Sequence, residues 1–142
     1  MIVLDTNVVS EPMRPRGDPG VLAWLDRQVA ETLYLTATSL SELLVGIAAL
    51  PAGRRRDGLD TALQDLLSRL FETRVLSFDQ QAAIAYATLV TRARAAGHVL
   101  SVGDGQIAAI AATHGFAVAT RDKIPFTAAG VPVINPWHEA AS

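Results

Sequence analysis

Ile2-Val3-Leu4-Asp5-Thr6-Asn7 opens the chain with an apolar run that ends directly on a carboxylate. Three consecutive apolar residues predict a short strand that is covered on both faces, as the strands of a parallel sheet are. Four further short runs share this character, and they lie at residues 33–36, 75–76, 117–120 and 133–134. Together the five runs predict the strands of a central sheet.

Segments with helical periodicity separate these predicted strands. Asp18 supplies an N-cap and Pro19 a suitable first helical residue, and the apolar residues that follow share one helical face. Further helices are predicted from Ser39 to a break at Pro51, across the leucine-rich segment 59–70, and over residues 79–97 and 104–114. This alternation predicts an α/β fold in which helices cover both faces of a parallel sheet, as a three-layer α/β/α single domain of residues 1–142.

Bulk composition limits the functional classes. Half of the 142 residues are hydrophobic, yet no apolar run reaches the roughly 18 residues that a membrane span needs. We therefore expect a cytoplasmic protein without membrane contact. Because the net charge is −2, the chain has no overall positive field that would attract nucleic acid. A non-specific DNA-coating protein is disfavoured, whereas a metal-dependent nuclease is not.

Four acidic residues form the main functional signal. Asp5 and Asp122 follow apolar runs, and Glu42 and Asp104 lie near the starts of predicted helices. Strand C-termini and helix N-termini meet along one edge of an α/β sheet, where ligand crevices form. Carboxylates gathered there repel one another unless a cation lies between them. The placement of the set therefore predicts a metal site.

Each acid also has a structural explanation when it is taken alone. Ser39 and Glu42 match the pattern of a capping box, as do Ser101 and Asp104. The two acids that follow strands match the composition of ordinary turns. The functional reading therefore rests on the four together.

The available ligands indicate which metal is expected. The chain has no cysteine, and its three histidines show no metal-type spacing. An all-oxygen site favours Mg²⁺, with Mn²⁺ as a substitute, over zinc. Four small polar residues beside the acids suit the orientation of ligands and water, namely Thr6, Asn7, Ser41 and Thr120.

Several motifs, in order along nearly the whole chain, resemble those of one family. They are Ile2-Val3-Leu4-Asp5-Thr6-Asn7-Val8-Val9-Ser10-Glu11, Thr38-Ser39-Leu40-Ser41-Glu42-Leu43, Asp104-Gly105-Gln106-Ile107-Ala108-Ala109, Ala119-Thr120-Arg121-Asp122 and Gly130-Val131-Pro132-Val133-Ile134-Asn135-Pro136-Trp137. In this order they are similar to the PIN-domain ribonuclease toxins of bacterial toxin–antitoxin pairs, of the VapC and FitB type.

The resemblance implies a PIN-like fold with a five-stranded parallel sheet and Mg²⁺-dependent endoribonuclease activity. It further implies a homodimer and a cognate antitoxin that blocks the site and helps to bind promoter DNA. Asp5, Glu42, Asp104 and Asp122 match the catalytic acids of the family, and Asp5 and Asp104 are expected to hold the metal directly. RNA is the expected substrate, and DNA is expected to be contacted only through the antitoxin.

Two positions depart from similar proteins. Gly103 stands where alanine is common before the third acid, and a glycine there should loosen the helix start. Pro125 stands where some relatives carry a further acid, which makes a second metal less expected.

Two alternatives to a toxic ribonuclease remain open from the sequence. One is a catalytically inactive PIN-fold binding module that modulates an antitoxin on DNA, which the loss of a catalytic acid would favour. The other is a nuclease of RNA maturation, although such proteins more often carry additional RNA-binding segments. All four acids are present. The helices that begin near Asp18 and Asp57 are expected to offer a face to a partner segment.

Overall fold

A central parallel sheet organises the protein, whose computed structural model describes residues 1–139. Its five strands are β1 (Ile2–Leu4), β2 (Leu33–Thr36), β3 (Val75–Leu76), β4 (Ala117–Ala119) and β5 (Val133–Ile134). They are arranged in the order β3-β2-β1-β4-β5, and every neighbouring pair is parallel. The predicted α/β class and the five strands are confirmed.

Helices connect the strands and cover the sheet. They are α1 (Thr6–Val9), α2 (Pro19–Arg27), α3 (Ala37–Ala48), α4 (Arg54–Leu66), α5 (Gln80–Ala95), α6 (Val102–His114), α7 (Lys123–Ala128) and α8 (Pro136–Glu139). Short 3₁₀ and π segments follow α2 and α4 at Ala30–Thr32 and Leu67–Phe71. None of the helices within residues 1–139 combines the length and apolar character that a membrane span requires.

The sheet separates two hydrophobic clusters, as the alternation of side chains along a strand requires. Leu4 of β1 packs on one side with residues of α1 to α4, including Val21 and Leu63. Val3 packs on the opposite side with residues of α5 to α7, including Ile107 and Phe126. The five consecutive residues 107–111 of α6 are buried, which accounts for part of the high apolar content of the chain.

Helix boundaries follow the capping chemistry at α2, α5 and α6 but differ from the predictions at α3 and α4. Helix α4 begins at Arg54, earlier than the predicted segment 59–70 and the start near Asp57, and its N-cap Gly53 offers no side-chain hydrogen bond. Asp18 and Asp79 accept backbone hydrogen bonds as the N-caps of α2 and α5, as predicted. Gly115 ends α6 in the left-handed conformation at φ 70°, where a glycine has no steric cost. Helix α3, however, begins three residues earlier than an N-cap at Ser39 would give, because Thr36 is the N-cap and its Oγ1 accepts the hydrogen bond from Ser39 N at 3.0 Å.

The order of the strands determines where a ligand site can form. From β1 the chain adds β2 and β3 on one side, and it later places β4 and β5 on the other. The connections therefore leave in opposite directions at the carboxyl ends of β1 and β4, which is where α/β proteins bind ligands.

Candidate active site

Asp5 stands at the carboxyl end of the central strand and is almost completely buried. One carboxylate oxygen accepts from Thr6 N and the other from Thr120 Oγ1, both at 2.8 Å. Burial raises the pKa of Asp5 to about 6 although both hydrogen bonds lower it, and the charges of Asp104 and Glu42 add to the rise. The site thus holds a buried carboxyl group that resists ionisation in the absence of a cation.

Asn7 and Thr120 connect Asp5 to Asp122 across the two neighbouring strands. Asn7 Nδ2 donates to Asp122 Oδ2 at 3.3 Å and lies 3.5 Å from Asp5 Oδ2. Thr120 Oγ1 also accepts from the backbone N of Asp122 at 3.0 Å. The Asp122 side chain makes no capping hydrogen bond to α7, so capping does not account for this carboxylate.

Glu42 lies in the second turn of α3 and points toward the other acids. The capping-box explanation of Glu42 is wrong, because Thr36 is the N-cap and the Ser39 hydroxyl is buried without a hydrogen-bond partner. Partial burial of its carboxyl raises the pKa of Glu42, and the charge of Asp104 raises it further. The Thr6 hydroxyl lowers this pKa, yet its geometry falls short of a hydrogen bond and leaves Thr6 Oγ1 unpaired.

Asp104 has a capping role and a site role at the same time. Ser101 is the N-cap of α6, and its Oγ accepts from the backbone N of Asp104 at 3.1 Å, as the sequence predicted. Burial raises the pKa of Asp104, the Ser101 hydroxyl lowers it, and the charge of Asp122 raises it. The helix cap therefore positions this carboxyl group without neutralising it.

Gly103 gives the Glu42 carboxylate room to approach α6. A Cβ atom at this position would lie 3.1 Å from Glu42 Oε1, which is closer than ordinary van der Waals contact. The departure from alanine at position 103 thus has a steric consequence, whereas the loosening of the helix start stays a prediction. Pro125 lies in α7 and lines a cavity beside the site, where it offers no carboxylate.

The structure brings all four predicted acids into electrostatic contact. Asp5 experiences the charges of Glu42 and Asp104, and Asp104 experiences that of Asp122. Among the residues that the structure describes, no arginine or lysine forms an ion pair with any of the four. The excess negative charge and the oxygen-only donors fit a hard divalent cation.

The four acids do not form a preassembled metal site. Within residues 1–139 no three histidine, aspartate or glutamate side chains are close enough to one another to hold one ion. Mg²⁺ normally keeps several waters and binds through one or two carboxylates, so it does not need such a group.

Of the four predicted small polar residues, the side chains of two contact the acids and those of two do not, since the Thr6 hydroxyl has no hydrogen-bond partner among the described residues. Asn7 and Thr120 form the connection described above, whereas Ser41 Oγ donates to Thr38 O of its own helix at 2.7 Å. Arg121 and Trp137 also lie beside the site and were not predicted. The guanidinium carbon of Arg121 lies 4.9 Å from the centroid of the Trp137 ring. The position of Arg121 next to Asp122 was the available sequence signal.

Asp104→Asn should stabilise the protein in the absence of metal. The substitution removes one repelling charge, a gain on the order of 1 kcal/mol, against a loss of about 0.3–1 kcal/mol for an acid at a helix N-terminus. Because asparagine can still cap, we expect the melting temperature in EDTA to rise slightly. Millimolar-scale Mg²⁺ should raise it clearly for wild type and much less for the variant.

Melting curves of both proteins in EDTA and in Mg²⁺ test this expectation. Asp60→Asn, an exposed position of α4, provides a matched control for loss of one carboxylate. A variant that melts below wild type in EDTA and responds equally to Mg²⁺ would make Asp104 a helix cap only.

Comparison with known proteins gives consistent relationships over the whole chain. The family model described as PIN domain matches residues 2–131. VapC ribonuclease Y4jK of Sinorhizobium fredii is 50% identical over 140 residues, which are 99% of this chain and 100% of the relative. Toxin FitB of Neisseria gonorrhoeae is 44% identical over 139 residues, 98% of this chain and 100% of the relative.

A solved structure shows the same fold. The structure of FitAB bound to an IR36 DNA fragment superimposes with a TM-score of 0.91 at 43% identity, over 97% of this chain and 96% of the matched chain.

Proposed function

Since the chain belongs to the PIN-domain family, we propose that it is the toxin of a toxin–antitoxin pair and an endoribonuclease that hydrolyses RNA phosphodiester bonds. Its full-length relatives include a named ribonuclease and a named toxin. The observation that carries the proposal is that Asp5 and Asp122, at the carboxyl ends of β1 and β4, lie near enough to Glu42 of α3 and Asp104 of α6 for the charges to act on one another, while none of the four has an ion-pair partner among the described residues. PIN-domain nucleases as a family depend on a divalent metal.

The family resemblance assigns the catalytic roles, and the surroundings of each acid are compatible with them. Asp5 and Asp104 would hold Mg²⁺, or Mn²⁺ in its place, and Glu42 and Asp122 would orient water or contribute further oxygen ligands. A bound ion of this kind supplies a water of lowered pKa and stabilises charge on the phosphoryl oxygens. Thr120 fixes the Asp5 carboxylate through its hydroxyl, and Asn7 holds Asp122 beside it. These roles support hydrolysis more than an inactive binding module, because no member of the set is missing.

A cognate antitoxin is the proposed partner, and one groove suits it. A cavity of about 840 Å³ lies between the loop before α2 and the start of α4, and its lining includes Met13, Leu59 and four arginines. Of these, Arg16, Arg54 and Arg55 are exposed and form no ion pair with any side chain that the structure describes. An apolar floor with an arginine rim fits a partner segment that carries apolar and acidic residues.

The loop that forms one wall of this groove is held by Glu11. This buried carboxylate accepts from Arg14 Nη1 at 3.1 Å and from Asp18 N at 2.8 Å. A Cβ atom at Gly17 would lie 2.3 Å from the Glu11 carbonyl oxygen, so the close packing of the loop requires glycine there. The groove wall is therefore fixed before a partner binds.

The remaining assignments concern assembly and location. We propose a homodimer, supported by large apolar side chains that are exposed in the single chain, namely Met1, Val29, Leu44, Val45, Ile84, Val99, Val102 and Ile124. We also propose a single PIN-like domain over residues 1–142 and a cytoplasmic location. Promoter DNA is contacted through the antitoxin, because the net charge of −2 gives the chain itself no attraction to DNA.

A growth assay tests the function and the groove together. Expression of the wild-type chain in bacteria should arrest growth, and Asp5→Asn should abolish the arrest. Co-expression of the cognate antitoxin should restore growth to cells that carry the wild type. The double variant Arg54→Glu/Arg55→Glu should remain toxic but resist rescue, because reversing two rim charges repels an acidic partner segment.

Each outcome of this assay has a separate meaning. Equal growth with wild type and Asp5→Asn would support the inactive binding module instead. Full rescue of the double variant would show that the antitoxin docks elsewhere. The control Arg27→Glu/Arg94→Glu places the same two charge changes outside the groove.

A further inference from the structure

A second cavity adjoins the acidic site and carries the opposite charge along part of its wall. Its volume is about 570 Å³, and Asp104 and Asp122 form the part of its lining that belongs to the site. Its remaining lining includes Arg121, Lys123, Trp137 and His138. Catalytic carboxylates and unpaired cations thus share one cleft.

The cations in this cleft are available to a ligand. Arg121 and Lys123 are exposed, and neither forms an ion pair with any side chain in the described part of the chain. The backbone fixes Arg121 relative to the acids, because its N donates to Asn7 Oδ1 at 3.2 Å. The same Asn7 side chain donates to Asp122. Asn7 therefore fixes the backbone of Arg121 beside the Asp122 carboxylate.

Trp137 positions the Arg121 guanidinium. The guanidinium carbon lies over the indole ring at 4.9 Å from the centroid, within the range of a cation–π contact. The tryptophan is itself held, since its backbone N donates to Asn135 Oδ1 at 3.0 Å and its ring packs against the core. A guanidinium that places its face on a ring keeps its N–H edge free for bidentate contact with a phosphate.

The negative charge of an RNA substrate explains why a cationic group such as the Arg121 guanidinium is useful beside the acids. RNA is a polyanion, and four carboxylates repel it. The net charge of −2 means that no overall field offsets this repulsion. A divalent cation bound by the acids would offset part of this repulsion, and cations beside the scissile position would add local attraction for the phosphates.

We propose that this cleft binds the RNA strand next to the cleaved bond, with Arg121 and Lys123 contacting the adjacent phosphates and Trp137 serving as the positioning residue for Arg121. The inference rests on the proposed ribonuclease function and names the residues that hold its substrate. A segment of a protein partner is the competing occupant. RNA is favoured because the lining of the cleft includes two of the catalytic acids.

Steady-state kinetics on a single-stranded RNA substrate test the proposal. Arg121→Gln should raise KM about tenfold, since lost phosphate contacts weaken binding, while kcat should change less than about twofold because this contact is common to ground and transition states. Arg94→Gln, an exposed arginine of α5, is the matched control and should leave KM unchanged. Trp137→Phe retains a ring and should keep KM near that of wild type, whereas Trp137→Leu should raise it.

Binding measurements separate this inference from the proposed function. In the Asp5→Asn background, the anisotropy of a short fluorescein-labelled RNA pool of random sequence reports affinity without cleavage. Arg121→Gln in that background should reduce the salt dependence of log Kd by about one phosphate contact. An absence of cleavage by wild type would refute the proposed function, while this binding readout would still test the cleft.

Several results would overturn the cleft assignment. Unchanged KM and unchanged salt dependence in Arg121→Gln would do so directly. Weaker binding of the neutralising protein from the growth assay, with RNA binding unchanged, would assign the cleft to that partner. If Trp137→Phe and Trp137→Leu raise KM equally at unchanged melting temperature, Trp137 does not act through its ring.

Discussion

Asp5→Asn is expected to reduce the rate of RNA cleavage in Mg²⁺ by more than about 100-fold, because even the outer partners of metal ligands contribute about 10–100-fold. The substitution is nearly isosteric, and the asparagine oxygen can still accept from Thr6 N. The loss would therefore report the missing charge more than a change of fold. Asp104→Asn should cause a comparable loss.

Cleavage of a labelled RNA, with product resolved by gel, measures this effect. Asp60→Asn is the matched control and should retain wild-type activity, and circular dichroism should show that all the variants are folded. EDTA should abolish the wild-type rate, and Mn²⁺ should restore it. Persistent cleavage in excess EDTA would refute the metal-dependent mechanism.

The stability of the metal-free protein is expected to fall as the pH rises from about 4 to above 6. The folded state raises the pKa of Asp5 from 3.8 to about 6, so between these values the folded state binds more protons than the unfolded state. Stability then decreases with increasing pH. The pKa shift corresponds to a loss of about 3 kcal/mol in folding stability once Asp5 is ionised in both the folded and the unfolded state. The loss is absent well below pH 3.8, where Asp5 is protonated in both states.

Urea unfolding in EDTA across this pH range measures the effect for wild type and for Asp5→Asn. The variant should show a weaker decline and should exceed wild type in stability at neutral pH, because its side chain does not ionise. Glu42 and Asp104, whose pKa values are also raised, should keep a smaller decline in the variant. Parallel curves for the two proteins would show that Asp5 does not carry this linkage.

Mg²⁺ should oppose this decline. It binds the ionised carboxylates, so its stabilising effect should grow with pH. If Mg²⁺ restores stability at neutral pH in wild type and far less in Asp5→Asn, the carboxylates whose repulsion destabilises the protein are those that bind the metal.

Local chemistry made much of the fold predictable. Apolar runs indicated all five strands, and the N-caps Asp18, Asp79 and Ser101 predicted helix starts to within a few residues. The start of α3 was misplaced because Thr36 and Ser39 are both good capping residues. Which of the two residues is the N-cap depends on where β2 ends, and a single sequence does not determine that boundary.

The positions of the four acids were predictable because each acid either follows a strand or lies near the start of a helix. The contact between Arg121 and Trp137 was not predictable from the sequence, because it depends on how the strands pair. Thr120 N donates to Ile134 O at 2.9 Å, which places the residues after β4 beside those after β5. Arg121 and Trp137 meet for this reason, although 16 positions separate them in the chain. The four arginines of the other groove likewise come together only in the folded molecule, namely Arg14, Arg16, Arg54 and Arg55.

The central position of β1 has a consequence for how the protein is made. The backbone N of Asp5 donates to Ala119 O at 2.9 Å, and β1 pairs with β4 along its whole length. During translation the first strand therefore leaves the ribosome long before its neighbour exists. A nascent or truncated chain that stops before residue 117 lacks both the acceptor for Asp5 and the Thr120 hydroxyl. We therefore expect a chain that ends before β4 to be inactive, because the side chains around Asp5 are assembled only after β4 has been made.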